Sequence, residues 1–138
     1  MTKQFKIIKI DHVAVAVNDL NSAQVIFNLL GMNFETIEYV EDEKVNALKI
    51  HPENQEHTIE LLEGLKNSSV EKFIENKGQG LHHIALEVDN IENAINYLKS
   101  NQINVIYDKP ENGAGNKLIT FIHPKSTPGI LIELCQSI

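Results

Sequence analysis

An internal repeat constrains this chain more than any other feature. Residues 11–31, DHVAVAVNDLNSAQVIFNLLG, lie without a gap on residues 82–102, HHIALEVDNIENAINYLKSNQ. His12, Ala14, Val17 and Ala23 meet the same residue types at His83, Ala85, Val88 and Ala94. Val13, Val15 and Leu20 face Ile84, Leu86 and Ile91, so the match keeps strand parity first and helical phase afterwards. In the first copy, Asn18 or Asp19 can cap a helix with apolar positions at Leu20, Ala23, Phe27 and Leu30, ended by Gly31. In the second, Asp89 or Asn90 caps a helix with Ile91, Ala94, Ile95 and Leu98 on one stripe.

Three strand signals follow each helix: NFETIEYV, KVNALKI and HTIELLE in the first half, INVIYD, KLITFIH and GILIELC in the second. Each half thus reads strand, helix, strand, strand, strand, which predicts an α+β chain of two tandem βαβββ modules. The modules cover about residues 5–66 and about 79–138, joined by a helix over about 68–77 with Ser68 and Glu71 as a capping box. A half of this size buries too little apolar surface to stand alone, so residues 1–138 are expected to form a single domain.

Nineteen acidic against twelve basic residues leave a formal charge of −7, with no Lys/Arg cluster to offset it. That balance excludes an electrostatic grip on nucleic acid or an anionic membrane. An anionic substrate would need its own local positive charge, such as a metal ion. The single cysteine, Cys135, rules out an internal disulfide and fits a reducing compartment. No apolar stretch reaches spanning length, and MTKQFKIIKI lacks the apolar core of a secretory signal, so the cytoplasm is expected.

The repeat also organises the chemistry. Alternation puts His12 on the face of Ala14, opposite Val13, Val15 and Val17, and puts His83 opposite Ile84, Leu86 and Val88. His82 points the other way, at the strand's mouth. In the last strand of each half a carboxylate stands in an apolar run: Glu60 among Ile59, Leu61 and Leu62, Glu133 between Ile132 and Leu134. Burying such a group is costly without compensation. Glu60 follows His12 by 48 positions and Glu133 follows His83 by 50. If the two sheets face each other, the four residues can converge on one point. Two neutral imidazoles and two carboxylates match a divalent cation, and the nitrogen and oxygen donors suit cobalt, manganese, nickel, iron or zinc better than calcium or magnesium. The absence of a thiolate argues against a closed structural zinc site, and four ligands on an ion that accepts six leave positions open for Lewis-acid catalysis.

Each member has a plainer reading. A lone histidine at a strand start is more often a hydrogen-bonded structural residue, and a lone glutamate more often faces water. The joint recurrence at nearly constant offset is what favours the metal. His51 and His57, in the polar turn HPENQEH, receive no role. His123, in FIHPKSTPG, is expected to shape a hairpin before the last strand, with contact to an anionic substrate through Lys125 as the alternative, and KPENGAGNK reads as a flexible loop.

IDHVAVAV, IELLEGL, GQGLHHIALEVDNIE and FIHPKSTPGILIEL together resemble the vicinal-oxygen-chelate superfamily and, within it, the methylmalonyl-CoA epimerase family. The resemblance runs from about Ile7 to Glu133 and implies an open, curved, barrel-like sheet around a divalent metal, with ligands His12, Glu60, His83 and Glu133. It implies cobalt as the first expectation, manganese, nickel or zinc as alternatives, an acyl-CoA substrate and a homodimer. The implied reaction is interconversion of (2R)- and (2S)-methylmalonyl-CoA by α-proton abstraction, with Glu133 as one acid/base group. A second acid/base glutamate is carried by some family members where Ala47 stands here; Glu43 lies just upstream, and Glu60, a water or another residue are the remaining alternatives. Glyoxalase I, which shares the His–Glu–His–Glu set, and a metal-free binding protein of the same fold are the rival functions.

Overall fold

The computed structural model describes residues 2–53 and 56–138. Asn54 and Gln55, in the polar turn after His51, lie outside the described residues. The chain divides into two compact units, His12–His82 on the one hand, and the segment ending at Asp11 together with His83–Ile138 on the other.

In the His12–His82 unit, strand β1 (Ile7–Val17, which begins in the other unit) leads into helix α1 (Leu20–Leu29), and β2 (Asn33–Phe34), β3 (Glu38–Val40), β4 (Val45–His51) and β5 (Ile59–Gly64) follow. The predicted strand NFETIEYV is therefore two short strands, both antiparallel to β4. The order across this part of the sheet is β2–β4–β5–β1, with β5 antiparallel to β4 and parallel to β1. Asp19 caps α1: its Oδ2 accepts from the Ser22 backbone N–H at 3.0 Å, supplying one of the helix's orphan donors. The Ser22 hydroxyl also donates to Asp19 Oδ2, at 2.7 Å, and this bond together with the backbone one holds the Asp19 carboxyl below its ordinary pKa. The chain leaves the helix through Gly31 at φ 80°, which glycine adopts without a Cβ clash. Leu20 is buried, and Ala23 and Phe27 pack with it against Val15, Val17, Leu48, Ile50 and Leu61. The valine side of β1 meets the helix, as its alternation requires. Leu30, expected on the inner stripe, is 67 % exposed, because the helix ends at Leu29 and the stripe ends with it. Helix α2 (Ser69–Lys77) is the predicted linking helix, its Ser68 Oγ accepting from the Glu71 N–H at 3.0 Å.

The other unit repeats the plan. Strand β6 (Gly80–Val88) leads to helix α3 (Ile91–Ser100), capped by Asn90, and then to β7 (Glu111–Gly113), β8 (Lys117–Ile122) and β9 (Ile132–Ser137). Their order is β6–β9–β8–β7, with β9 parallel to β6 and antiparallel to β8. Ile91, Ala94 and Ile95 of α3 pack on Val88, Val105 and Leu134. The segment before Asp11 is fastened here: Asp89 Oδ1 accepts from the Lys6 N–H at 2.7 Å, the Asp89 N–H donates to Lys6 O at 3.2 Å, and Phe5 packs on the α3 cluster.

The second half corrects one expectation. INVIYD is no strand beyond a single bridge, Val105 to Ile122. Thr120 is the reason: its Oγ1 accepts from the Tyr107 N–H at 3.1 Å and donates to Tyr107 O at 2.8 Å, taking both backbone groups that a ladder would use. The third strand falls instead at β7, inside the stretch read as a flexible loop. Gly113 is required there, since a Cβ would stand 2.7 Å from Ile119 Cγ2. His123 shapes the approach to β9 as expected, its Nδ1 accepting from the Lys125 N–H at 3.0 Å to open a 3-10 turn at Pro124–Ser126.

Candidate metal centre

The ladder registers put each predicted pair together. In the first unit, β1 pairs with β5 so that Ala14 stands opposite Glu60. In the second, β6 pairs with β9 so that Ala85 stands opposite Glu133. In both, the histidine lies two residues before the paired alanine, on the same face, and the sequence offsets of 48 and 50 resolve into one register. His12 Nε2 is 3.7 Å from Glu60 Oε1, and His83 Nε2 is 3.3 Å from Glu133 Oε1. All four residues are buried, none more than 6 % exposed.

The face carrying each pair is separate from the helix-packed one. Around Glu60 it holds Ala14, Ala16, Ala47 and Leu62, all buried. Around Glu133 it holds Ala85, Ile119, Phe121 and Cys135, and the Phe121 ring stands edge-on to His83 with centroids 5.4 Å apart. Small and apolar neighbours dry the pair and fix the imidazole without competing for its nitrogens. Burial, and then the charge of Glu133, push the Cys135 thiol well above its ordinary pKa, so it is packing and not a ligand or nucleophile.

The donor chemistry fits a metal ion: buried imidazole nitrogens and carboxylate oxygens, with no thiolate. Two protonated histidines would be the other way to neutralise two buried glutamates. That arrangement removes four charges from water, and whereas His83 stands within hydrogen-bond reach of Glu133 at 3.3 Å, the 3.7 Å between His12 and Glu60 is longer than a hydrogen bond. A cation held by imidazole nitrogen and carboxylate oxygen leaves each imidazole neutral.

The remaining sequence candidates fall elsewhere. His82 is stacked edge-on against Phe73 of α2. His51, given no role, is bonded through Nε2 to Glu35 and lies 3.2 Å through Nδ1 from Thr58 Oγ1. Ala47 is in mid-strand and buried, whereas Glu43 sits in the turn before β4. Lys49 escaped the sequence reading, although the alternation of KVNALKI already places it on the face of Ala47; in the ladder it stands directly opposite Glu60. Among the described residues no helix is long and apolar enough to cross a membrane.

Two βαβββ units that each carry a histidine and a glutamate in one register describe a class, and the comparisons agree with it. Residues 11–121 match the model of the Glyoxalase/Bleomycin resistance protein/Dioxygenase superfamily, and the chain belongs to that superfamily. Its similarity within it is to the methylmalonyl-CoA epimerases, which are isomerases. The mitochondrial methylmalonyl-CoA epimerase of Mus musculus is 35 % identical over 136 residues, 96 % of this chain and 75 % of that protein. The ethylmalonyl-CoA/methylmalonyl-CoA epimerase of Cereibacter sphaeroides is 36 % identical over 132 residues, 93 % of this chain and 97 % of that one. A solved Streptomyces coelicolor methylmalonyl-CoA epimerase variant in complex with 2-nitronate-propionyl-CoA superposes with TM-score 0.88 at 28 % identity, covering 96 % of each chain.

Proposed function

We propose that the chain is a metal-dependent epimerase interconverting (2R)- and (2S)-methylmalonyl-CoA. The repeated register, a buried histidine two residues before the rung of a buried glutamate, carries the reading. His12, Glu60, His83 and Glu133 would hold one divalent cation, cobalt before manganese, nickel or zinc, with the two units acting as a single domain. Bound there, the cation supplies Lewis-acid stabilisation of the negative charge that grows on the thioester oxygen as the α-proton leaves. Glu133 accepts that proton: its carboxylate is buried, and the neighbouring His83 fixes its orientation. The apolar ring of Ala85, Ile119 and Phe121 excludes water that would otherwise quench the carbanion.

We further place the enzyme in the cytoplasm as a homodimer. The dimer reading is supported by α1, which has no charged residue and leaves Val25, Ile26 and Leu29 more than half exposed.

Deuterium incorporation at the α-carbon tests the activity. Cobalt-loaded protein in heavy water should exchange and invert either epimer of methylmalonyl-CoA and leave the hemithioacetal of methylglyoxal untouched; the reverse pattern would assign the chain to glyoxalase chemistry. Glu133→Gln should lower the inversion rate by at least about a hundredfold, the range for loss of a general base.

A further inference from the structure

The last torsion of a histidine side chain is broad and roughly two-fold, so an imidazole is oriented by its neighbours and not by its own backbone. One such neighbour of His83 is Phe121, whose ring lies 5.4 Å away, centroid to centroid, with the planes at 79°. Phe121 is 8 % exposed and stands on the rung opposite Glu133, so one side chain borders both members of the pair. Its ring is met in turn by that of Tyr107, at 6.0 Å and 71°. Both contacts are edge-to-face and fall inside the range of about 4.5–7 Å where aromatic pairs attract. All of these residues lie within His83–Ile138, in one compact unit.

Tyr107 belongs to INVIYD, the stretch whose composition predicts a strand. Strand β7 covers the outer edge of β8 only as far as Ile119. Beyond it residues 105–107 take over that edge: the Ile106 N–H donates to Phe121 O at 2.8 Å, and Thr120 Oγ1 holds both backbone groups of Tyr107. Thr120 is fully buried. Tyr107 is thus anchored through its backbone, and its half-buried ring is left against Phe121. The arrangement does not follow from the repeat. At the equivalent rung of the other unit, the residue opposite Glu60 is Lys49, which has no ring.

We propose that Tyr107 is a positioning residue for the metal centre, an inference that rests on the reading of His83 as a metal ligand. Held by Thr120, Tyr107 backs the Phe121 ring, and Phe121 keeps the His83 imidazole in its ligating orientation. Tyr107 touches neither the cation nor the substrate. Its ring restricts His83 in the metal-free protein, so less ordering remains to oppose binding when a cation arrives. The irregular segment around Tyr107 is in this way coupled to the affinity of the centre.

Cobalt titration of chelator-stripped protein, read by calorimetry and by the visible absorption of the bound ion, tests it. Tyr107→Leu should weaken cobalt binding about three- to tenfold, the span an aromatic pair supplies, and should change the position or intensity of the absorption band. Tyr107→Phe keeps the ring and should match the wild type in both readouts. In a Phe121→Leu background, Tyr107→Leu should add no further loss, since its effect travels through that ring. The two Tyr107 variants decide the matter even where Phe121→Leu does not fold. Wild-type affinity and spectrum in Tyr107→Leu, with only a lowered thermal midpoint, would show a merely structural role and overturn this inference alone. Equal losses in Tyr107→Phe and Tyr107→Leu would assign the effect to the hydroxyl and overturn it as well, as would fully additive losses in the double variant. Wild-type protein that binds no cobalt would overturn the metal reading, and this inference with it.

Discussion

A carboxylate between two apolar neighbours on a strand is hard to bury, and Glu60 and Glu133 are both at most 5 % exposed. Moving such a charge out of water costs several kcal/mol even after the surroundings relax. The sequence already held this tension, because the apolar runs around each glutamate were plain and the histidines recurred at matching offsets. The alternation of KVNALKI puts Lys49 on the face of Ala47, but only the ladder sets it against Glu60. Cys135 is a simpler case. It is fully buried, and burial raises its thiol well above the ordinary range. Native protein should therefore resist alkylation by a water-soluble thiol reagent at neutral pH and react stoichiometrically only in denaturant, as followed by mass spectrometry. Rapid labelling of the native state would contradict the packing assigned to it.

The helix starts were legible to within a residue, because each begins with a side chain suited to capping. Asp19, Ser68 and Asn90 each accept a hydrogen bond from the backbone N–H three residues on. Ser68→Ala should lower the unfolding free energy by about 1 kcal/mol, read as a shift of the denaturant midpoint at unchanged slope. Gly64 lies so close that a Cβ there would stand 2.6 Å from Ser68 Oγ, so strand β5 and the helix start are fitted to each other. The strands were less legible. INVIYD has the composition of a strand, but Thr120 satisfies Tyr107 from the side, a tertiary bond that no local pattern announces. The hairpin in ENGAGNK was hidden for the opposite reason: its glycines look like loop residues, yet Gly113 is small because Ile119 packs where its side chain would be.

At the scale of the molecule, the segment that opens the chain belongs with the unit that closes it. Lys117 Nζ donates to Asp11 Oδ1 at 2.5 Å, tying β8 to the first half of β1. Burial by itself lowers the Lys117 pKa, but the hydrogen bond and charge of Asp11 outweigh it and leave the group above its ordinary 10.5. A pKa raised by folding contributes stability that is complete below the unfolded value and disappears as pH climbs through the folded one. Denaturation midpoints should therefore fall on the alkaline side of about pH 10.5, and Lys117→Met should flatten that fall while leaving acid behaviour unchanged. The repeat announced two modules and their shared register; it did not announce that the first segment would fasten to the second unit, since Lys117 and Asp11 are separated by 106 positions. The central claim is that one histidine and one glutamate from each unit serve a single cation, and calorimetric titration of chelator-stripped protein with cobalt tests it most directly. Wild type should bind one ion per chain, and His12→Ala, His83→Ala, Glu60→Ala and Glu133→Ala should each weaken that same binding event by at least about tenfold. Two independent ions per chain, with each substitution removing only the ion of its own unit, or no binding at all, would contradict it.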